Sequence, residues 1–328
     1  MRLLLISALL CLAPIAQADY SRHAKTDELL STLKSEFGFS KAELDQVRAT
    51  LRQAQKVPKL IEAEKNAKEK TLTWTRYRPI HVTPKNIERG AAFYHENRAW
   101  FEKAEQRFGV SRWVIAAIMG VETKYGGYTG PHRVLDSLAT QGFDHPTRSR
   151  FFFRELTEFL VLCRDKGFEP TELVGSYAGA MGMAQFMPSN YRKLALDFDE
   201  DGDVDLWSIP DAIGSIAHYL INYRPSASWQ TGEATTVPAV VSKRPSGLKL
   251  NGRNVDTTVA ELANHGIEAA MPLPPQTRVG LVELNLDKGY EYWLGLPNFY
   301  AIMAYNPRVF YAMSVAQLAS AIEVAATH

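Results

Sequence analysis

Between Val114 and Gly127 the chain reads VIAAIMGVETKYGG. A helix this apolar is stable in water only inside a fold, so the rest of the protein has to be built around it. Ser111 is placed to cap its start. From that phase Val114, Ile115, Ile118, Val121 and Glu122 fall on one stripe, which puts a single carboxylate on the inward side. Burial disfavours the charged form of a carboxyl and raises its pKa, and a carboxyl still protonated near neutrality can donate a proton. A Glu paired with a Lys or Arg inside the fold gives the same pattern, and the helix alone does not separate the two. Gly126 and Gly127 are expected to end the helix and leave room for a ligand.

A chain of 328 residues, 46% of them hydrophobic, suits two or three subdomains with a sizeable core. Residues 1–18 read as an export signal: Arg2, an apolar run from Leu3 to Leu12, and the small-x-small site Ala16-Gln17-Ala18. A short membrane anchor is the alternative, but the run is too short to span a bilayer. Leu10 stands before Cys11 where a lipid-attachment motif needs a small residue, so the expectation is a soluble, periplasmic protein without a lipid anchor. Cleavage leaves Cys163 alone, which rules out an internal disulfide. Without Arg2 the basic residues equal the 36 acidic ones, so no global positive field exists to hold nucleic acid.

Helix signals dominate. Ser40-Lys41-Ala42-Glu43 is a capping box, and Thr83-Pro84 opens a helix expected to run to Phe108 and stop at Gly109. The charged stretch Ala63 to Lys70 is a solvated helix face or linker. Further helices are expected from Pro146 to near Gly167, from Ser208-Pro210 to Tyr223, and from a cap at Ser314. From Trp229 to Leu286 the character changes: Val237 to Val241 and Val279 to Leu286 read as strands among turns. The fold expected is mainly α (α+β). Its parts are a helical subdomain at 19–108, a core at 109–228, a small β-rich insert at 229–275, and a return to the core at 276–328.

Two segments carry further chemistry. GSYAGAMGMAQFMP, Gly175 to Pro188, is made of small residues with Gln185 and Ser176 among them. Such residues suit tight helix packing, or a cleft wall where a ligand lies close to main chain. Met181, Met183 and Met187 fit either core or adaptable contacts. In DFDEDGDVDLWSIPD, Asp197, Asp199 and Asp201 alternate before Gly202, with Asp203 next, as in the opening of an EF-hand calcium loop. Ser208 stands where that loop ends in Glu, and a carboxylate returns at Asp211. An exposed acidic turn is the plain alternative. Mutual repulsion of so many carboxylates favours a cation, and oxygen ligands favour Ca²⁺, here with a structural role.

Taken together, VETKYGG at 121–127, RVLDSLAT at 133–140, GSYAGAMGMAQFMPSNY at 175–191, DFDEDGDVDLW at 197–207, DAIGSIAHY at 211–219 and YWLGLPNFYAIMAYN at 292–306 resemble the B-type lytic murein transglycosylases. The resemblance implies a lysozyme-like core and a peptidoglycan glycan strand as substrate. It implies Glu122 as sole catalytic acid and base, Ser176 and Gln185 in the glycan cleft, and sugar or peptide contacts from Arg148, Tyr300, Tyr305 and Asn306. It also implies Ca²⁺ on Asp197, Asp199, Asp201, Asp203 and Asp211. Tyr125, with Tyr300 and Tyr305, is a further candidate sugar platform, or core. Partners among the cell-wall synthesis proteins are a further expectation. A hydrolytic muramidase, a non-catalytic wall-binding protein and a calcium-regulated module are the rival readings.

Overall fold

The computed structural model describes residues 19–65 and 71–328. Residues 1–18, the expected export signal, and residues 66–70 of the charged stretch lie outside them.

Among the described residues, the α-helices Thr26–Phe37, Lys41–Gln53, Lys59–Lys65, Trp74–Tyr77, Pro84–Glu96 and Arg98–Phe108 precede the central one. The capping box holds, with Ser40 and Glu43 bonding each other's main chain. Thr83 Oγ1 accepts from Asn86 N as expected, but the helix it starts does not reach Phe108. It breaks at Asn97, which leaves helical geometry, and Asn97 Nδ2 donates to the Phe93 carbonyl that the break exposes. Gly109 then closes the next helix with φ of 67°.

The apolar segment forms helix Arg112–Thr123, buried on every side from Val114 to Gly120. Ser111 is its N-cap residue, but the side chain makes no capping bond. Glu105 Oε1 accepts from Arg112 N instead. Around it pack Pro84–Glu96, Arg98–Phe108, Ile209–Asn222 and the last helix, Val309–Thr327. That last helix begins five residues before the expected cap, and Ser314 is buried inside it. Among the described residues it is the helix long and apolar enough to cross a membrane, and its apolar face is packed in this core. Val134–Asp144 and Ser149–Lys166 form a neighbouring pair. The second of these starts three residues after Pro146, because His145 Nδ1 first accepts from Thr147 N and Arg148 N in a turn.

Two small strands, β1 (His132–Arg133) and β2 (Val174–Gly175), pair antiparallel with His132 opposite Gly175. The larger sheet consists of β3 (Thr236–Val241), β4 (Thr257–Thr258), β5 (Ile267–Ala269), β6 (Arg278–Asn285) and β7 (Tyr290–Gly295), in the order β4-β6-β7-β3-β5, all antiparallel. The β region therefore extends to Gly295, and a boundary at 275 would cut through the sheet. In β6, Val279 and Leu281 enter a small core of the insert, whereas Val282 and Leu284 join the main one, so alternation along one strand ties the insert to the helices. Gly280 lets helix Pro297–Tyr305 close on the sheet: a Cβ there would come within 1.8 Å of the Tyr300 hydroxyl.

Candidate active site

Glu122 sits in the last turn of helix Arg112–Thr123. Its side chain keeps partial exposure, yet protein surrounds the carboxyl closely enough for burial to push its pKa up to about 7. No Lys or Arg pairs with it among the described residues. The Tyr311 hydroxyl, from the first turn of Val309–Thr327, donates to Glu122 Oε1 at 2.6 Å and moderates the rise. The general-acid reading thus fits the surroundings and the ion-paired reading does not.

Tyr219 and Tyr305 stand beside this pair. Burial, with the Glu122 charge contributing, raises the ionisation of Tyr219, Tyr305 and Tyr311 far above the ordinary phenol range, so all three stay neutral hydroxyls. The Tyr219 hydroxyl donates to Ala304 O at 3.0 Å, and that of Tyr305 donates to Ala184 O. Both rings pack against Phe186. On their other side they line a cavity of about 780 Å³ with Arg148, Met187, Asn190 and Tyr223. Glu122 is not among the residues that line this cavity, but its charge acts on both tyrosines that do.

The segment Gly175 to Pro188 is not a packed helix. It is a chain of tight turns bound to β1, with Met181 bridging Phe186. Met183 N donates to Leu206 O, and Thr123 Oγ1 donates to Met183 O, which fastens the segment to the end of the Glu122 helix. Gly126 contributes clearance, since a Cβ at its φ of 78° would strike Met183. The helix end itself is made by Lys124 and Tyr125, both left-handed at φ 52° and 60°, and not by the glycines. Gln185 is left-handed too, at φ 51°. All three are non-glycine residues in a sparsely populated region, two at the end of the Glu122 helix and one in the Gly/Met segment fastened to it.

The other anticipated contacts divide. Gln185 and Ser176 lie in the Gly/Met segment, where Gln185 Nε2 donates to Thr129 O and Gly182 O and Ser176 Oγ accepts from Ala180 N. Arg148 lies over Phe151 and Phe152 at the cavity wall, and Asn306 follows Tyr305 at the helix end. Tyr125 is core: its hydroxyl donates to Asn86 O, and it fills the space left by Gly90 and Gly120. Tyr300 is buried against Gly280 and Gly295 at the sheet, away from this cleft. Neither presents a ring face to a sugar at Glu122, because helix-on-helix and helix-on-sheet packing use those rings.

In the aspartate loop, Asp197, Asp199 and Asp211 each bring a carboxylate oxygen within 4.8 Å of the others. Asp199 Oδ1 is buried without a partner, an atom a cation would satisfy. Asp211 Oδ1 and Oδ2 accept from Phe198 N and Asp205 N, which fixes the helix start to the loop. Burial first, and the Asp199 and Asp197 charges after it, push the Asp211 carboxyl up, and a divalent ion would reverse that. Asp201 and Asp203 are not part of this group of three, and Asp203 is expected to offer its backbone carbonyl rather than its side chain. The Asp203 side chain turns out to pair with Lys166, and the Asp201 carboxylate accepts from Asp203 N. Residues 197–211 therefore fit a hard cation on a smaller set of side chains than the full aspartate series.

The sequence profile described as the transglycosylase SLT domain matches residues 22–320. The chain belongs to this lytic transglycosylase family. It is 35% identical over 313 residues to the membrane-bound lytic murein transglycosylase B of Escherichia coli K12, covering 94% of this chain and 85% of that protein. The E. coli lytic transglycosylase SLT35, solved in complex with bulgecin A, matches with a TM-score of 0.86 over 94% of this chain and 96% of that one, at 35% identity. The same enzyme has been solved with calcium. The catenated lytic transglycosylase SltB1 of Pseudomonas aeruginosa matches with a TM-score of 0.85 over 94% of this chain and all of that one, at 38% identity.

Three residues of this transglycosylase site escaped the sequence reading. Tyr311 and Tyr219 are single tyrosines in apolar helices, and Thr123 looks like an ordinary helical Thr. Only in the fold do they meet Glu122 and the Gly/Met segment. Tyr311 gives the sharpest test. Its bond favours the carboxylate, and a hydrogen bond to a charged group is worth about 1.5–3 kcal/mol. In Tyr311→Phe the alkaline limb of the kcat/KM profile should move up by about one pH unit or more, with Tm little changed. An unmoved limb would show that Tyr311 does not set the Glu122 proton affinity.

Proposed function

We propose that this lytic transglycosylase cleaves the β-1,4 bond between N-acetylmuramic acid and N-acetylglucosamine in periplasmic peptidoglycan, releasing a 1,6-anhydromuramoyl end. The observation that carries the reading is a carboxyl lifted to about 7 beside a glycine-rich segment, with no other carboxylate among the causes of that shift; Glu155, which lines the neighbouring cavity, is taken up by Ser189 N and Oγ. Glycosidases of the ordinary kind set two carboxylates across the bond. P. aeruginosa SltB3, at 26% identity and TM-score 0.73, has been solved with NAG-anhNAM-pentapeptide, which supports both the glycan and the anhydro product.

One carboxyl suffices if it acts twice. Protonated Glu122 gives its proton to the glycosidic oxygen as the C1–O4 bond breaks, and the muramoyl 2-acetamido group supports the electron-poor C1. The Glu122 carboxylate, held by Tyr311, then takes the proton of the muramoyl 6-hydroxyl as O6 bonds to C1. The first proton leaves on the departing 4-hydroxyl, the second regenerates the Glu122 carboxyl, and no water enters the product. An intramolecular hydroxyl has a large effective concentration, which favours ring closure over hydrolysis. Mass spectrometry of a murein digest decides: a muropeptide lighter by one water than the hydrolysis product supports the reading, and a free reducing end makes the enzyme a muramidase.

For the aspartate loop we propose Ca²⁺ held by Asp197, Asp199 and Asp211, with a structural role. The calcium complex of the E. coli relative and the orphaned Asp199 oxygen both support it. Binding to the folded state alone adds about 2.7 kcal/mol at a hundred times Kd. Ca²⁺ should therefore raise Tm by several degrees in the parent and not in Asp199→Asn, while turnover at a temperature where both are folded stays the same. A change in turnover with no change in Tm would make the loop regulatory.

A further inference from the structure

A second groove of about 770 Å³ runs between the N-terminal end of the Glu122 helix, the last helix and the edge of the β insert. Four of the six tryptophans of the chain line it. Trp74 and Trp229 are buried in its floor, the second anchored by its Nε1 donating to Gly109 O. Trp113 and Trp293 are half-exposed on its sides. Each is fixed: Trp113 packs on Tyr94 with centroids 4.4 Å apart, and Trp293 Nε1 donates to Glu291 Oε1 at 2.6 Å. The opposite wall is flat because the last helix presents Ala316, Ala319 and Ser320 there. Glu233 and Glu323 complete the lining without an ion-pair partner among the described residues.

This is a lining for a neutral polyol. Indole faces carry negative charge density and attract the polarised C–H bonds on the flat face of a pyranose ring. Carboxylates and the Gln317 amide offer acceptors for its hydroxyls and N–H groups, as in sites where apolar walls are combined with a few placed polar groups. Three glutamates against Arg78, which already donates to Gln317, would repel nucleic acid, phospholipid head groups and acidic peptides.

We propose that this groove is a second, non-catalytic saccharide site for the uncharged N-acetylglucosamine units of a glycan strand. The proposal rests on the glycan-cleaving reading above. Trp113 and Glu122 are nine residues apart on one helix, about 13 Å, so the groove lies outside the cleft but on the same rigid element. Holding the strand at a second point raises its local concentration at Glu122. Long or insoluble substrates gain from it and short ones do not.

The test uses the full chain carrying Glu122→Gln and titrates it with tetra-N-acetylchitotetraose, following stoichiometry by calorimetry. Two sites are expected. Trp113→Ala/Trp293→Ala should leave one, as should Ser320→Arg, which adds bulk at an exposed position and does not touch the core. In the catalytically intact chain the same changes should slow digestion of insoluble murein about threefold to tenfold and leave turnover of a short soluble muropeptide unchanged. One site in the Glu122→Gln parent, or two sites in both groove variants, overturns the proposal. So does a groove that binds tetralysine and not the oligosaccharide, which would make it a cation site. Loss of anhydro product from the short substrate in the unmutated chain would instead count against the function proposed for Glu122.

Discussion

Glu122→Gln is expected to fold, to bind glycan, and to lose at least about a thousandfold in turnover. Positioned acid or base groups contribute about 10²–10⁴-fold, and here one side chain supplies both steps, so a single substitution removes both. The amide keeps the shape of the carboxyl and can still accept from the Tyr311 hydroxyl, so the tyrosine cluster and the wall fastened by Thr123 should remain in place. Matched Tm and oligosaccharide affinity alongside the lost turnover would locate the defect in proton transfer. Digestion of murein at the parent rate would remove Glu122 from the chemistry.

The second large effect is on stability. Burial lifts the Glu122 carboxyl from 4.5 to about 7 in the folded chain. A carboxyl with a raised folded-state pKa favours the fold when protonated. That contribution is complete below about pH 4.5 and is lost as pH rises through about 7. The span corresponds to about 3 kcal/mol at 1.36 kcal/mol for each pK unit. Glu122→Gln carries no such proton, so it should be more stable than the parent at pH 8 by up to that amount, with the gap closing towards pH 4.5. Denaturant midpoints across the range measure it. A constant difference between the two proteins would mean that Glu122 titrates at the same pH in the folded and unfolded chain, with no shift from burial.

The acid itself was legible because a lone Glu on an apolar stripe is a local signal. The alternation of aspartates before Gly202 was legible for the same reason, and so was the order of the family motifs. What escaped depends on contacts between distant parts of the chain. Tyr311 reaches Glu122 across 189 positions, and a misplaced start for the last helix, at Ser314 and not Val309, had left Tyr311 outside any element. The Asp203 side chain pairs with Lys166 across 37 positions, which the spacing of the aspartates alone does not disclose. Tyr125 and Tyr300 illustrate the converse. An aromatic within a recognised motif reads as a ligand platform, but Gly90 and Gly120 in one case and Gly280 in the other make room for the ring inside the fold. The break at Asn97 is a local event, concealed because its neighbours Glu96, Arg98 and Ala99 favour helix on either side.

The most direct measurement is a carboxyl ¹³C titration of the resting enzyme, with the Glu122 resonance assigned by its absence in Glu122→Gln. A midpoint near pH 7, moving upward in Tyr311→Phe, is the predicted result. A midpoint below pH 5 in both would place an ionised carboxylate at residue 122 before substrate arrives, and the proposed first proton transfer could not occur.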